Sequence, residues 1–203
     1  MPRFLIGILM MLMATAVVFG PAWCADNVDR TREVEVLLKA KIDAVLAILG
    51  DGALSQPQKQ DRIMKTIEPV MDFPLMAKLT LGRQHWGKLS PAQQTEFVDL
   101  FVKRLKQSYL DKTALYSDQK VVYEKAAQEG SKVSASMNII AQDKTVVVLY
   151  KFYLAGAAWK IYDVEVEGVS FVKSYMAQFD AILKNGTVDN LFAELRKPVA
   201  EQK

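Results

Sequence analysis

The sequence predicts an α+β fold in which an antiparallel sheet of about four strands packs against helices. In about the first half of the chain, apolar residues recur every three or four positions, a spacing typical of amphipathic helices. From residue 132 onward they alternate with polar residues, which is typical of half-buried strands. Helical spacing returns after residue 170, and hairpin-length turns join the strands. Along the chain, helices are therefore expected before and after an antiparallel sheet.

Residues 1–25 are expected to be a signal peptide. Arg3 is their only charge, and the apolar run at 4–19 is followed by small residues. A basic start, an apolar core and small residues are typical of a secretory signal, and the run is shorter than the roughly 20 residues of a membrane-spanning helix. Lipid attachment at Cys24 remains an alternative. Residues 26–203 are then expected to form one domain that works outside the cytoplasm.

Apolar stripes and capping residues predict the helices in turn. A stripe over 34–49 predicts the first helix, which a Gly-Asp-Gly segment closes. Ser55 and Ser90 each begin a capping box with proline at an early helical position, and so open two more. Between these two, a short helix is predicted to start at Asp72 and to stop at Gly82. Two further stripes after the sheet predict the closing helices.

Four segments are predicted to be strands. Residues 133–139 alternate between apolar and polar, and 146–154 and 159–167 are rich in β-branched and aromatic residues. Residues 121–125 are the fourth candidate. Within 159–167 the apolar residues switch from odd to even positions near Tyr162-Asp163, which predicts a β-bulge there.

The composition argues against several classes of function. One cysteine allows no internal disulfide, and a net charge of +3 gives no reason to expect nucleic-acid binding. His85 is the only histidine and no Gly-x-Ser-x-Gly segment is present, so the sequence does not indicate a serine hydrolase. The chain also lacks the Cys/His spacing of metal sites and the Gly-rich loops of nucleotide sites, and we therefore expect no metal and no cofactor.

Large apolar residues on the helical stripes and on the inner sheet face are candidates for one interior. Apolar spacing does not distinguish a filled core from a hollow lined by the same residues, so two functions remain open at this point. An isomerase- or dehydratase-type enzyme would need an acid or base in a hollow, for which Asp163, Tyr150 and Tyr162 are candidates. A structural or adaptor protein would have a filled core.

Several segments resemble the signature of the MlaC family, also called the toluene-tolerance family. The resemblance covers about residues 28–197, and one departure is Met176, where the family usually has arginine. The segments that carry the resemblance are Met71-Asp72-Phe73 with Met76, 81–90 (LGRQHWGKLS), 93–97 (QQTEF) with Phe101, Leu105 and Tyr109, 159–164 (WKIYDV), 167–170 (EGVS), and Tyr175 followed by Gln178-Phe179.

The resemblance implies a periplasmic lipid carrier and not an enzyme. Such a carrier shuttles phospholipid between an outer-membrane complex of MlaA with a porin and an inner-membrane ABC transporter with an MCE-domain subunit, and so maintains outer-membrane lipid asymmetry. Phospholipid is then the cargo, with a hopanoid or another lipid as the alternative. We expect the carrier to be a monomer that binds no nucleic acid.

An apolar cavity between the sheet and the helices is expected to hold the lipid tails. A carrier of two tails is expected to have a continuous apolar cavity with a volume at or above the upper end of ligand sites, about 1,000 Å³. The residues predicted to line the cavity come from the apolar stripes and from the inward strand positions. They are Met71, Phe73, Met76, Leu79, Phe97, Phe101, Leu105, Tyr109, Val133, Met137, Val148, Tyr150, Phe152, Trp159, Ile161, Val164, Val166, Val169, Tyr175 and Phe179.

Overall fold

The computed structural model describes residues 29–110, 120–141 and 144–198, with the side chains of 109, 110 and 141 excepted. The expected signal peptide and Cys24 lie outside these residues. Within the described ranges, no helix combines the length and the apolar character that crossing a membrane requires.

The helices that precede the sheet begin and end near the predicted positions. They are α1 (Thr31–Gly50), α2 (Gln56–Ile67), α3 (Phe73–Trp86) and α4 (Pro91–Leu105), and α4 runs into a π-helical turn at Lys106–Leu110.

The capping boxes predicted at Ser55 and Ser90 are both confirmed. At the second, the Ser90 hydroxyl accepts a hydrogen bond from the Gln93 backbone N–H at 3.3 Å, and the Gln93 side chain accepts one from the Ser90 N–H at 2.9 Å. The stop predicted at Gly82 is a kink: Gly82 has φ +64°, which favours glycine, and helical residues resume up to Trp86.

The sheet is antiparallel and has six strands among the described residues. They are β1 (Lys120–Tyr123), β2 (Ala127–Glu129), β3 (Lys132–Ala141), β4 (Lys144–Ala155), β5 (Ala158–Val166) and β6 (Val169–Ser170). Their order is β1-β3-β4-β5-β6, and β2 also pairs with β3. The four predicted strands are β1, β3, β4 and β5, and the two additional ones are only three and two residues long. Two helices follow, α5 (Phe171–Asn185) and α6 (Val188–Arg196).

The β-bulge predicted near Tyr162-Asp163 is present. Lys151 of β4 lies opposite Asp163, but the next residue, Phe152, lies opposite Ile161, so Tyr162 has no partner in the register. An extra residue on one strand reverses which faces its later side chains point to. Ile161 and Val164 therefore lie on the same face of the sheet although three positions separate them.

The bulge also holds the connection between α2 and α3. The Asp72 N–H donates to the Ile161 carbonyl at 2.9 Å, and the Ile161 N–H donates to the Val70 carbonyl at 2.7 Å. Asp72 caps α3 by accepting from the Leu75 N–H at 2.9 Å. This short pairing fixes the start of α3 against β5.

The buried residues form two clusters. One lies among α3, α4, α5 and α6 and is centred on Phe97, whose ring centroid is 5.7 Å from that of Phe179 and 6.2 Å from that of Phe192. The other lies between α1 and the inner face of the sheet. Met71 and Phe171 pack against both clusters and mark the zone between them.

Candidate functional site

An apolar cavity of about 330 Å³ lies between the sheet and the helices, in the zone between the two buried clusters. Its position agrees with the predicted one, but its volume is well below the expected value of about 1,000 Å³ and close to the lower end of ligand sites. The lining residues are Leu38, Lys41, Ile42, Val45, Ile63, Met64, Ile67, Val70, Met71, Phe73, Met76, Leu105, Lys106, Val148, Tyr150, Ile161, Val164, Val166 and Phe171.

The sheet contributes one wall of the cavity. Val148 and Tyr150 are alternate residues of β4 and therefore share a face. On β5 the bulge brings Ile161 to the same face as Val164 and Val166. Without the extra residue, strict alternation would place Ile161 on the face opposite to the other two. The bulge thus builds the β5 half of this wall.

The helices contribute the opposite walls. On α1, Ile42 and Val45 are three positions apart and so lie on one face of the helix. On α2, Ile63 and Ile67 are four apart and do the same. The start of α3 adds Phe73 and its neighbours, held in place by the pairing of Asp72 with β5.

Nine of the residues predicted to line the cavity do so in the structure. The nine are Met71, Phe73, Met76, Leu105, Val148, Tyr150, Ile161, Val164 and Val166. They come from the α2–α3 connection, the first turn of α3, the end of α4 and the strands β4 and β5.

Five predicted residues lie instead in the helical cluster, which is filled: Leu79, Phe97, Phe101, Tyr175 and Phe179. Phe97 and Phe101 are completely buried. The Phe101 ring meets the Tyr175 ring edge to face at a centroid distance of 5.4 Å. Rings in such contact leave no room for an acyl chain among them.

The remaining predicted residues lie elsewhere. Val133, Met137, Phe152 and Trp159 belong to the cluster between α1 and the sheet and do not line the cavity. Val169 is 62% exposed, because β6 is a two-residue edge strand. Tyr109 belongs to the π-helical turn, and its side chain lies outside the described residues.

The sequence prediction missed the α1–α2 wall and both lysines of the lining. The stripes on α1 and α2 were visible as apolar faces, but spacing alone does not say what such a face packs against. Lys41 and Lys106 are the charged residues of the lining among the described residues. Neither makes an ion pair or a side-chain hydrogen bond with another described residue, so their charges are available at the rim.

A groove of about 600 Å³ adjoins the cavity. It lies along α3 and α4 and shares Met71, Phe73 and Lys106 with the cavity lining. Beyond these shared residues it carries charges of both signs, at Glu68, Asp99 and Lys103, as well as the apolar side chains Pro74, Val98 and Val102. The cavity and the groove therefore meet at the start of α3 and just after α4, and the groove has the more charged lining.

Tyr150 brings a polar atom into the otherwise apolar wall formed by the sheet. Its side chain is half-buried and lines the cavity. Burial raises the pKa of the Tyr150 phenol, which therefore stays protonated. Its hydroxyl makes no hydrogen bond with another described residue.

The other two candidates for acid–base chemistry lie outside the cavity lining. Asp163 accepts hydrogen bonds from the Ser170 hydroxyl at 2.7 Å and from the Val172 N–H at 3.2 Å, and so anchors the start of α5. Tyr162 is the bulged residue, and its ring packs against that of Tyr153 at a centroid distance of 6.0 Å. Of the three candidates, Tyr150 is therefore the one that lines the cavity, and no carboxylate does so among the described residues.

Comparison with known proteins finds a matching family model and related sequences. The family model described as MlaC protein matches residues 39–197. The toluene tolerance protein ttg2D of Pseudomonas putida is 28% identical, with 74% of this chain and 77% of that protein covered. The intermembrane phospholipid transport system binding protein MlaC of Haemophilus influenzae is 24% identical, with 66% of this chain and 64% of that protein covered.

A solved structure is also similar. It is the phospholipid-binding protein from Ralstonia solanacearum in complex with a phospholipid, with a TM-score of 0.72 and 26% sequence identity. The match covers 79% of this chain and 93% of that one. With the family match spanning most of the sequence and the same α+β arrangement in a solved relative, the chain belongs to the MlaC family.

Proposed function

We propose that this chain is a periplasmic phospholipid carrier and not an enzyme. The observation that carries the proposal is the apolar cavity between sheet and helices, whose charged lining residues, among those that the structure describes, are two lysines. The Ralstonia solanacearum relative, solved with a phospholipid, supports the same cargo for this chain. The alternative lipids named above, hopanoids included, would use the same cavity.

Burial of acyl chain is the physical basis of such a carrier. A two-tailed lipid exposes roughly 30 methylenes to water at about 0.8 kcal/mol each, so a barrier on the order of 20 kcal/mol opposes its free passage between membranes. A wall of side chains such as Ile42, Val148 and Ile161 replaces bilayer contacts with protein contacts. Uptake and release then become nearly balanced exchanges.

The charges at the rim suit the head group of a phospholipid. Lys41 on α1 and Lys106 after α4 line the same cavity, and neither is neutralised by an acidic partner among the described residues. An ammonium group pairs favourably with a phosphate, and more strongly beside an apolar surface than in open water. The tails would enter the cavity and the phosphate would stay near these two lysines.

The route of transport belongs to the same proposal. The chain would act as a monomer in the periplasm, after removal of residues 1–25, with 26–203 as its lipid-binding domain. It would exchange phospholipid between an MlaA–porin complex and an MCE-domain ABC transporter, and so maintain outer-membrane asymmetry. The name of the Haemophilus influenzae relative, a binding protein of an intermembrane phospholipid transport system, supports this route.

A pair of matched substitutions on α1 tests the proposed function. Val45 lines the cavity, whereas Val36 on the same helix is 55% exposed. We expect Val45→Trp to lower the phospholipid bound per protein by about tenfold, because a large side chain occupies the space of the tail. Val36→Trp makes the same chemical change without entering the cavity and should leave the bound lipid unchanged.

The measurement is mass spectrometry of the organic extract from natively purified protein, normalised to protein amount. Circular dichroism of both variants establishes that they are folded. A Val45→Trp protein that carries as much phospholipid as the wild type would show that the tails do not use this cavity. Wild-type protein that yields no lipid at all would contradict the carrier function itself.

A further inference from the structure

We infer that the Tyr150 hydroxyl donates a hydrogen bond to an oxygen of the cargo inside the cavity, and that this oxygen is an ester carbonyl of an acyl lipid. The inference rests on the proposed function and refines it, because it names the chemical group of the lipid that the protein recognises. It concerns the chemical linkage between tail and head group. Neither the apolar walls nor the two lysines can distinguish an ester from another linkage at that position.

Tyr150 differs from two other tyrosines of the sheet, Tyr123 on β1 and Tyr153 on β4. The Tyr123 hydroxyl donates to Asp43 Oδ1 on α1 at 2.7 Å, and the Tyr153 hydroxyl donates to Asp72 at the start of α3. Both of these phenols are thus paired with a carboxylate. Tyr150 lines the cavity and has no such partner among the described residues.

The cost of this arrangement indicates a ligand. When lipid fills the cavity and displaces water, a hydroxyl in the lining loses its hydrogen bonds to water, and without an acceptor it gains none in return. Phenylalanine would fill the same space without that loss. The sheet wall around Tyr150 is apolar, with Val148, Val164 and Val166 as its neighbours in the lining. The acceptor therefore has to come from what enters the cavity.

An ester carbonyl fits the position. In a diacyl lipid the carbonyls lie between the apolar tails and the charged head group, so they enter a cavity only partway. The lining of this cavity likewise combines apolar side chains with two lysines, Lys41 and Lys106. A lipid that is pure hydrocarbon at this depth has no oxygen to accept the hydrogen bond, and the Tyr150 phenol would stay unpaired.

A comparison of ester and ether lipids tests the inference. Wild-type protein is incubated with vesicles of equal amounts of diacyl and dialkyl phosphatidylethanolamine with the same chain lengths, and the two bound lipids are quantified by mass spectrometry after repurification. The dialkyl lipid differs by lacking the carbonyls. We expect a threefold to tenfold enrichment of the diacyl lipid, on the order of one buried hydrogen bond.

Substitution of the phenol should abolish this preference. Tyr150→Phe is expected to bind the two lipids in roughly equal amounts, whereas Tyr162→Phe, which removes a phenol outside the cavity, should keep the wild-type enrichment. Tyr150→Met also lacks the hydroxyl and replaces the first variant if that protein does not fold.

Equal uptake of both lipids by wild-type protein overturns the inference. An ordered water that accepts the hydrogen bond of the phenol would produce this same result. The inference is equally overturned if the enrichment persists without the Tyr150 hydroxyl. Failure of the proposed function looks different, because wild-type protein would then bind neither lipid.

Discussion

Asp163 is a buried carboxylate at the point where β5 meets α5, and its exposed fraction is 5%. Besides its hydrogen bonds from Ser170 and Val172, it lies 3.4 Å from Lys151 Nζ, which also pairs with Glu165. Burial lowers the pKa of Lys151, but the bond to Glu165 and the charges of both carboxylates raise that pKa overall. This network ties β4, β5 and the first turn of α5 together beside the bulge.

Removal of the Asp163 carboxylate should destabilise the protein. We expect Asp163→Ala to lower the free energy of unfolding by about 2–4 kcal/mol, because a buried hydroxyl, an N–H and a lysine lose their acceptor. Glu165→Ala changes the charge equally but removes a partner of Lys151 alone, and should cost about 1 kcal/mol or less. Urea denaturation at pH 7 measures both values. Equal losses in the two variants would contradict the anchoring role of Asp163.

At the scale of elements, the start of α3 is held by Asp72 from two sides. Its backbone pairs with β5, and its side chain caps α3 and accepts from the Tyr153 hydroxyl of β4. The hydrogen bond to Asp72, followed by burial and the Asp72 charge, raises the pKa of Tyr153 to about 12. Because the pKa of Tyr153 is raised in the folded state, its protonated phenol stabilises the fold fully at pH values below the unfolded-state pKa near 10. This stabilisation is lost as the pH rises through 12.

The Tyr153–Asp72 link therefore predicts a specific alkaline dependence. The free energy of unfolding of the wild type should fall between pH 10 and pH 12, and Tyr153→Phe should show a shallower fall. Asp72→Asn keeps an oxygen for the α3 cap but removes the charge, and should flatten the fall too. Some slope will remain, since burial and the bond to Asp43 raise the pKa of Tyr123. Urea denaturation at several pH values measures the slopes, and identical slopes in wild type and Tyr153→Phe would contradict the link.

Features with a local cause could be predicted from the sequence. The capping boxes at Ser55 and Ser90 depend on residues three positions apart, and the bulge at Tyr162 follows from the parity of side chains along one strand. The family resemblance carried the prediction of a cavity between sheet and helices.

Features that depend on how elements pack could not be predicted. Phe101 and Met76 both lie on apolar helical faces, yet the first is enclosed by aromatic rings and the second lines the cavity. The α1–α2 wall, with Ile42 and Ile63, was missed for the same reason. Periodicity identifies a buried face but not the volume that remains in front of it.

At the scale of the whole molecule, one part of the interior is filled and the other is hollow. If a methylene occupies about 30 Å³, close to the share of a water molecule in the liquid, a cavity of about 330 Å³ holds about ten of them. Two tails carry roughly three times as many. A diacyl lipid must therefore use the adjoining groove, displace a wall, or do both.

Among the walls, α2 is the least restrained, whereas the hydrogen bond from Tyr123 to Asp43 ties α1 to β1. The sheet wall is fixed by the hydrogen bonds between β4 and β5, and α3 is fixed by Asp72 and by the filled helical cluster. In contrast, α2 has only Ile63 and Met64 among its buried residues. Helices with few buried side chains open at low free-energy cost, so filling the cavity should restrain them most.

Hydrogen exchange with and without bound lipid should locate this restraint. We expect loading with diacyl phospholipid to slow exchange in α2 and in the second half of α1, because the tails pack against Ile42, Val45 and Ile63. The helix α6, which packs in the aromatic cluster through Leu191 and Phe192, serves as the internal control and should not change. Slowed exchange confined to α5 and α6 would mean that the lipid opens the aromatic cluster instead, and that the hollow beside the sheet is not where the tails lie.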